Sequence, residues 1–375
     1  MPGHYVHHID PIIATIGGVH LWWYGLSYSL GFFNAHFFLR RNRDRLGLSV
    51  ADVYELSVLL ALGVLAGGRA LVVFRHEWSF YRDHFLLVPA VWLGGLATHG
   101  LIIGGFAGVA IFCAVRKRPF RPIFDALAIP AAFILGCGRI GNFIDGQIVG
   151  SLTTLPWGVQ FPEAEGIRHP VVLYDGLKNL LIIPILWMVQ RRGVPQGRLA
   201  SLFVLLYAGL RIPIDVLRDY PISFLFLPAG QTFNVLMATT GLALVAKNVW
   251  WPPKAAVSIA RGGVPAPMQR AVPFAFAALV LLALVVPSDA TRDIPARYGR
   301  RHADLSYSWL YPRIGVEPQM VRRTCSSRFS LLGSRFVFRF GSRFEVRGSG
   351  SGSGIGIPGQ GVPKCEPERG TPNRT

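Results

Sequence analysis

Four side chains able to do chemistry lie inside stretches that are otherwise apolar: Arg69, His99, Arg139 and Arg211. A charge at membrane depth costs about 3 kcal/mol or more unless it faces a bundle interior or a wet cavity with a partner. Guanidinium groups held at that cost suit a negative ligand, because their planar fork meets phosphate oxygens bidentately. The densest such stretch is GCGRIGNFIDGQIVG, residues 136–150, where Arg139, Asn142 and Asp145 sit among five glycines at the end of an apolar run. Glycines let the backbone turn sharply or approach a ligand closely. The stretch predicts a polar pocket at a membrane edge, built around an anion.

The neighbouring candidates each have a plain reading and a chemical one. A lone histidine is more often a satisfied core residue, yet the near-neutral titration of imidazole makes His99 a proton-transfer candidate. Arg69, in GGRALVVFR, is either packed against a carboxylate or lines the cavity. Arg211 and Asp215 are four residues apart and so share a helical face where they can pair. That pair alone is compatible with a structural role. Asp175 near a helix start is an ordinary dipole-favoured placement. Trp22 and Trp23 read as interfacial anchors, whereas Tyr24, deeper and next to Gly25, can offer a pocket hydroxyl.

The elements that must position these groups are transmembrane helices. The chain of 375 residues is 51% hydrophobic and 15% charged, against about 25% charged in soluble domains. Eight apolar stretches approach the roughly 20 residues that span a bilayer. They are 16–39, 52–75, 89–115, 122–141, 171–190, 199–217, 229–250 and 271–288, the last being the shortest. The expected fold is an all-α polytopic membrane bundle of seven core helices and a possible eighth.

The net charge of +18 would suit a nucleic-acid binder, but its distribution does not. Basic clusters at Arg40–Arg45, Arg116–Arg121, Arg191–Arg198 and Lys247–Lys254 follow spans 1, 3, 5 and 7, the positive-inside pattern. It places the N-terminus and the loops around 76–88, 142–170 and 218–228 outside. Every candidate group then falls in the outer half of the membrane. Independent structural accidents would not all choose one side.

Cys113, Cys137, Cys325 and Cys365 show no metal or disulfide spacing. Cys137 lies beside the glycine-rich stretch, but an inert membrane cysteine is its plainer reading. No metal-ligand set and no cofactor motif is visible. The polar start MPGHYVHHIDP lacks a basic n-region, so no cleavable leader is expected. Three regions follow: a membrane domain over 1–250, a connector and possible eighth helix over 251–288, and a basic low-complexity tail over 289–375, read as disordered. The Arg/Phe alternation of that tail could also form strands or touch anionic lipid.

The segment GRIGNFIDGQIVG at 138–150 resembles the signature GRxGNFxNGExxG of the prolipoprotein diacylglyceryl transferases. WYGL at 23–26, GGR at 67–69, GGLATHG at 94–100, RHPVVLYDG at 168–176, RIPIDVLR at 211–218 and GQ at 230–231 support it in order. The resemblance covers roughly residues 10–250. Asp145 and Gln147 stand where the signature has Asn and Glu, Asp175 and Asp215 stand for Glu, Val172 stands for Gln, and Leu101 for Gly.

The resemblance implies seven spans with an outward N-terminus, in the bacterial plasma membrane, with the active site toward the outer leaflet. It implies transfer of the diacylglyceryl group of phosphatidylglycerol to the lipobox cysteine of a prolipoprotein signal peptide. The products are a thioether and glycerol phosphate; this is the first step of lipoprotein maturation. By position it assigns His99, Arg139 and Arg211 to catalysis, and Tyr24, Asn142, Gly150 and Asp215 to substrate binding; Arg69 joins the second group as a cavity arginine. No nucleic acid is expected as a partner. A non-catalytic protein that binds or moves anionic lipid through the same arginines is the alternative.

Overall fold

The computed structural model describes residues 3–218, 229–250, 266–288, 293–299 and 301–314. Asp219, the connector 251–265, Cys325, Cys365 and the tail beyond 314 lie outside the described residues. Among the described residues eight helices reach 18 residues or more: α1 Trp23–Leu46, α2 Val50–Leu71, α3 Thr98–Val115, α4 Phe120–Ile144, α5 Val171–Arg191, α6 Arg198–Val216, α7 Ala229–Trp250 and α8 Ala266–Leu284. Five are long and apolar enough to cross a membrane: the α2 segment continued to Arg75, α3, α4, α5 and α6. The chain is thus a multi-pass helical membrane protein. Neither seven nor eight spans follows from length and apolarity alone, because α1, α7 and α8 do not meet that standard.

Local chemistry sets where the helices begin. Ser49 and Asp52 form a capping box at the start of α2, each side chain accepting from the other's backbone N–H at 3.1 and 2.9 Å. The first predicted span, 16–39, is corrected at its start. Residues 12–22 form an antiparallel hairpin, β2 Ile12–Ile16 with β3 Val19–Trp22, and α1 begins only at Trp23. The Gly17–Gly18 turn, at φ 58° and 80°, reverses the chain, and a period-two alternation of burial follows in VHLW. The third predicted span, 89–115, is likewise shortened. Gly94 and Gly95, at φ 81° and 86°, leave the helical region, and α3 starts at Thr98. A small three-stranded patch joins β1 Tyr5–Val6, β4 Val159–Gln160 and β5 Ile167–Arg168. His7, just after β1, hydrogen-bonds the carbonyl of Phe143 near the end of α4 at 2.7 Å.

Packing proceeds by neighbours. α1 lies on α4, α4 on α5, α5 on α6 and α6 on α7. α2 and α3 pack most closely of all. A Cβ placed on Gly67 or Gly63 would strike the backbone of Gly100 or Gly104, and the reverse holds for Gly104 and Gly100. Small residues let membrane helices approach backbone to backbone, and here no side chain separates them. α8 packs on α1 and α2: Ser29 Oγ donates to the carbonyl of Val280 at 2.7 Å, and the His36 ring stacks on Phe276 at 4.7 Å.

The expectation of an unstructured tail from 289 is corrected in part. Residues 294, 298, 311 and 314 bury apolar side chains with Ile12, Trp22, Ala90 and Leu93 in one cluster beside the hairpin. Ile294 and Tyr298 share one face of the short helix Ile294–Tyr298, but a single turn set among polar and basic residues is too short to stand out in the sequence.

Candidate functional site

The site gathers where α3 and α7 begin and where α4 and α6 end. Arg139 lies in the last turns of α4, against α5, where Gly176 leaves room: a Cβ there would come within 3.1 Å of Arg139 Cβ. Through that gap Arg139 Nε reaches Asp175 Oδ2 at 2.6 Å. Its other nitrogens donate to Asn142 Oδ1 at 3.1 Å and to Thr98 Oγ1 at 3.2 Å. One guanidinium therefore ties together α3, α4 and α5.

Asp175 is the hub. Besides Arg139 it receives Arg211 Nη1 at 2.9 Å and Lys178 Nζ at 2.8 Å. Lys178 also donates to the Tyr207 carbonyl at 3.2 Å and sits 4.2 Å over the Tyr207 ring. Arg211 donates to the Tyr207 hydroxyl at 3.1 Å. The expected Arg211–Asp215 pair is long, 3.9 Å. Asp215 instead accepts from Arg218 at 2.9 Å and from Asn234 at 3.0 Å. Gln231 accepts from Asn234 at 3.2 Å and donates to the Ile212 carbonyl at 2.8 Å, which docks α7 on α6.

All of these groups are buried or nearly so. Among the described residues of the cluster, four cations (Arg139, Lys178, Arg211, Arg218) surround two carboxylates, Asp175 and Asp215. Buried charge is tolerated when paired; here three cations share one carboxylate. A cleft of about 10 Å³, room for one water, opens between Arg139, Asp175, Asp215, Arg218, Val171 and Val172.

His99 is the second residue of α3, half-buried, its ring 4.8 Å from that of Phe233 on α7. Arg211, Asp215, Arg139 and Arg218 are its charged neighbours. Tyr24 hydrogen-bonds Tyr28 at 3.0 Å, and Gly141 on α4 packs directly on it. Tyr28 also lines an apolar cavity of about 370 Å³ between α1, α3, α4 and α6, with Phe32, Leu101, Leu127 and Phe203. Arg121 and Lys247 border that cavity.

Gly150 closes the loop over the site. It pairs with Arg218, its N–H donates to the His169 carbonyl at 3.1 Å, and its own carbonyl accepts from Arg168 at 3.1 Å. A side chain at Gly150 would collide with His169 and Val171. The structure thus brings together Arg139, Asn142, Arg211 and Asp215, with His99, Tyr24 and Gly150 beside them.

Arg69 reaches the loop that runs into α3. Its guanidinium donates to the carbonyls of Leu87 and Val88, each at 2.8 Å, and to that of Gly94, with the Tyr81 ring 4.9 Å away. It pins the loop that leads to Thr98 and His99. Sequence reasoning missed Lys178 and Thr98, and it gave Asp175 too small a part. The signal for Lys178 was present: a lysine three residues past an aspartate in the apolar run LYDGLKNLLIIPILW.

The family model for prolipoprotein diacylglyceryl transferase matches residues 11–247. The phosphatidylglycerol–prolipoprotein diacylglyceryl transferase of Geobacter sulfurreducens is 38% identical over 246 residues, covering 63% of this chain and 94% of the relative. The proteins of the same name from Desulfotalea psychrophila and Chromohalobacter salexigens are each 35% identical, over 250 and 244 residues. They are covered over 92% and 91% of their lengths, in each case by 63% of this chain. With the signature arginine and asparagine in one buried cluster and a match spanning more than half of its length, this chain belongs to the prolipoprotein diacylglyceryl transferase family.

Proposed function

We propose that this protein is a transferase that moves the diacylglyceryl group of phosphatidylglycerol onto the cysteine thiol of prolipoproteins. The observation that carries the reading is the convergence of Arg139, Lys178 and Arg211 on the single carboxylate Asp175, beside a cleft and next to an apolar cavity. The phosphate of the lipid head group would sit against Arg139 and Arg211, with Asn142 and Asp215 setting their orientation. The acyl chains would lie along the apolar cavity past Tyr28. The acceptor is the lipobox cysteine of a signal peptide, presented from the outer leaflet of the bacterial plasma membrane.

The chemistry follows from the groups at hand. A thiol is a weak nucleophile until it loses its proton. His99 accepts that proton. The sulfur then bonds to the glyceryl carbon while the carbon–oxygen bond to phosphate breaks. Glycerol phosphate leaves with the electron pair, and Arg139 and Arg211 meet the charge that develops on it. The proton on His99 passes to the leaving group or to water. No metal is needed for any step.

The test uses purified protein, phosphatidylglycerol and a lipobox peptide, with mass spectrometry for the diacylglyceryl thioether. The wild-type chain forms the adduct; His99→Asn loses it while still binding the lipid. Lipid binding without any adduct from the wild type would replace the transferase reading with a lipid-binding one.

A further inference from the structure

The family match ends at residue 247, yet residues 266–288, 293–299 and 301–314 pack on the matched part. Their contacts are specific. The Tyr298 hydroxyl donates to Asp145 Oδ1 at 2.9 Å, and Ser288 Oγ donates to Asp145 Oδ2. The Trp92 indole donates to the Leu310 carbonyl at 2.9 Å. The Tyr311 hydroxyl accepts from the His20 N–H at 3.0 Å, its ring stacked 4.4 Å from the imidazole. His302 meets Asp10 at 2.8 Å. Phe276 and Ala283 on α8, with Val286 just beyond it, share one buried cluster with Tyr24, Leu96 and Leu101.

Two of these contacts land on the elements that carry the site. Asp145 ends α4, three residues after Asn142 and six after Arg139. Trp92 lies six residues before Thr98, in the loop whose carbonyls Arg69 already holds. Asp145 is also where the chain departs from the family signature, with a carboxylate where an amide is usual. A buried carboxylate accepts hydrogen bonds only, and both of its oxygens are served by hydroxyls of the added segment.

We propose that residues 266–288, 293–299 and 301–314 are a positioning element of the transferase site, joined to it through Asp145–Tyr298 at the end of α4 and Trp92–Leu310 before α3. Asp145, Tyr298 and Trp92 are positioning residues; none touches the reacting atoms. The segment sets the angle at which α4 presents Arg139 and Asn142, and it steadies the loop that presents Thr98 and His99. This rests on the transferase reading for its consequence, though not for its geometry.

The test is made on the full chain with two small deletions of function, Tyr298→Phe and Trp92→Phe. Each removes one donor; Tyr298→Phe keeps its ring, and Trp92→Phe keeps a smaller aromatic ring. In the adduct assay each variant loses roughly tenfold in kcat per folded molecule, about what one hydrogen bond to a site-bearing element is worth, with KM for lipid and peptide kept within about twofold. Amide exchange at 94–99 and 142–147 rises in both variants. A merely structural role would lower the folded yield and leave kcat per folded molecule unchanged, and that outcome overturns the proposal. Unchanged exchange at both segments overturns it as well, whether or not the wild type is active. A wild-type chain that makes no thioether sinks the transferase reading alone, because the exchange measurement still decides the brace.

Discussion

Two sets of buried charge lie at opposite ends of the helix bundle, and they are built on different rules. At one end, Glu55 meets Arg116 at 2.6 Å and Asp52 meets Arg118 at 3.1 Å. Each carboxylate has its own arginine, and each pair joins the start of α2 to the residues just after α3. At the other end, Asp175 alone receives Arg139, Lys178 and Arg211, and Asp215 receives Arg218. The first set is balanced and links two neighbouring elements. The second carries surplus positive charge among the described residues, draws on three helices and the residue just past α6, and borders a cleft. Pairing one to one answers the cost of burial. Gathering cations around a shared carboxylate leaves charge to offer to something else.

Removing a cation should therefore have opposite effects at the two ends. Arg139→Ala cuts adduct formation by about a hundredfold or more, as expected for a lost group that meets developing charge. Folding survives it, because Lys178 and Arg211 still cover Asp175. Adduct mass spectrometry on folded protein reads the effect; a variant with near-normal turnover would erase the distinction between the ends.

The balanced end answers differently. Arg118→Leu strips a wholly buried aspartate of its arginine and costs about 3–5 kcal/mol of stability, seen as a lower melting midpoint in micelles. The molecules that remain folded keep their kcat. Replacing both members of the other pair, Glu55→Leu with Arg116→Met, costs little, within about 1–2 kcal/mol, since neither charge is left behind. A large loss from that double change would mean the one-to-one pairs do more than balance each other.

The smallest effect is one of pH, in the N-terminal strands beside the site. Burial lowers the pKa of both His7 and His20 below the ordinary value of 6.5. The unfolded chain then binds protons that the folded head excludes. Their contribution is complete above pH 6.5 and is lost as pH falls through that value toward the lowered ones. Amide exchange in residues 5–22 should quicken on acidification, while exchange around 49–55 stays as it was.

What the sequence disclosed follows the same division. Arg139, Asn142 and Arg211 stood out because polar groups in apolar helices are conspicuous. Asp175 did not, because an acidic residue near a helix start has an ordinary explanation. Arg69 was legible as a buried charge but not as a loop anchor. Its partners include backbone carbonyls, which carry no signature in the residue string. The hairpin over 12–22 was hidden by its apolar content, which reads as the lead-in to a span. Residues 293–299 and 301–314 were hidden because their few apolar positions are spread over one helical turn and irregular backbone, too little to read as an element.

The seam between α2 and α3 acts as a ruler. Gly63, Gly67, Gly100 and Gly104 interlock backbone against backbone, so α3 cannot slide along α2 by one residue, about 1.5 Å, without driving a carbonyl into a Cα. His99 immediately precedes the first interlocked glycine of α3. Its depth in the bilayer is fixed by that register rather than by its own contacts. In the proposed reaction, the height at which a lipid phosphate and a peptide thiol would meet the imidazole is thus graduated in glycines, on a face of α3 turned toward α2.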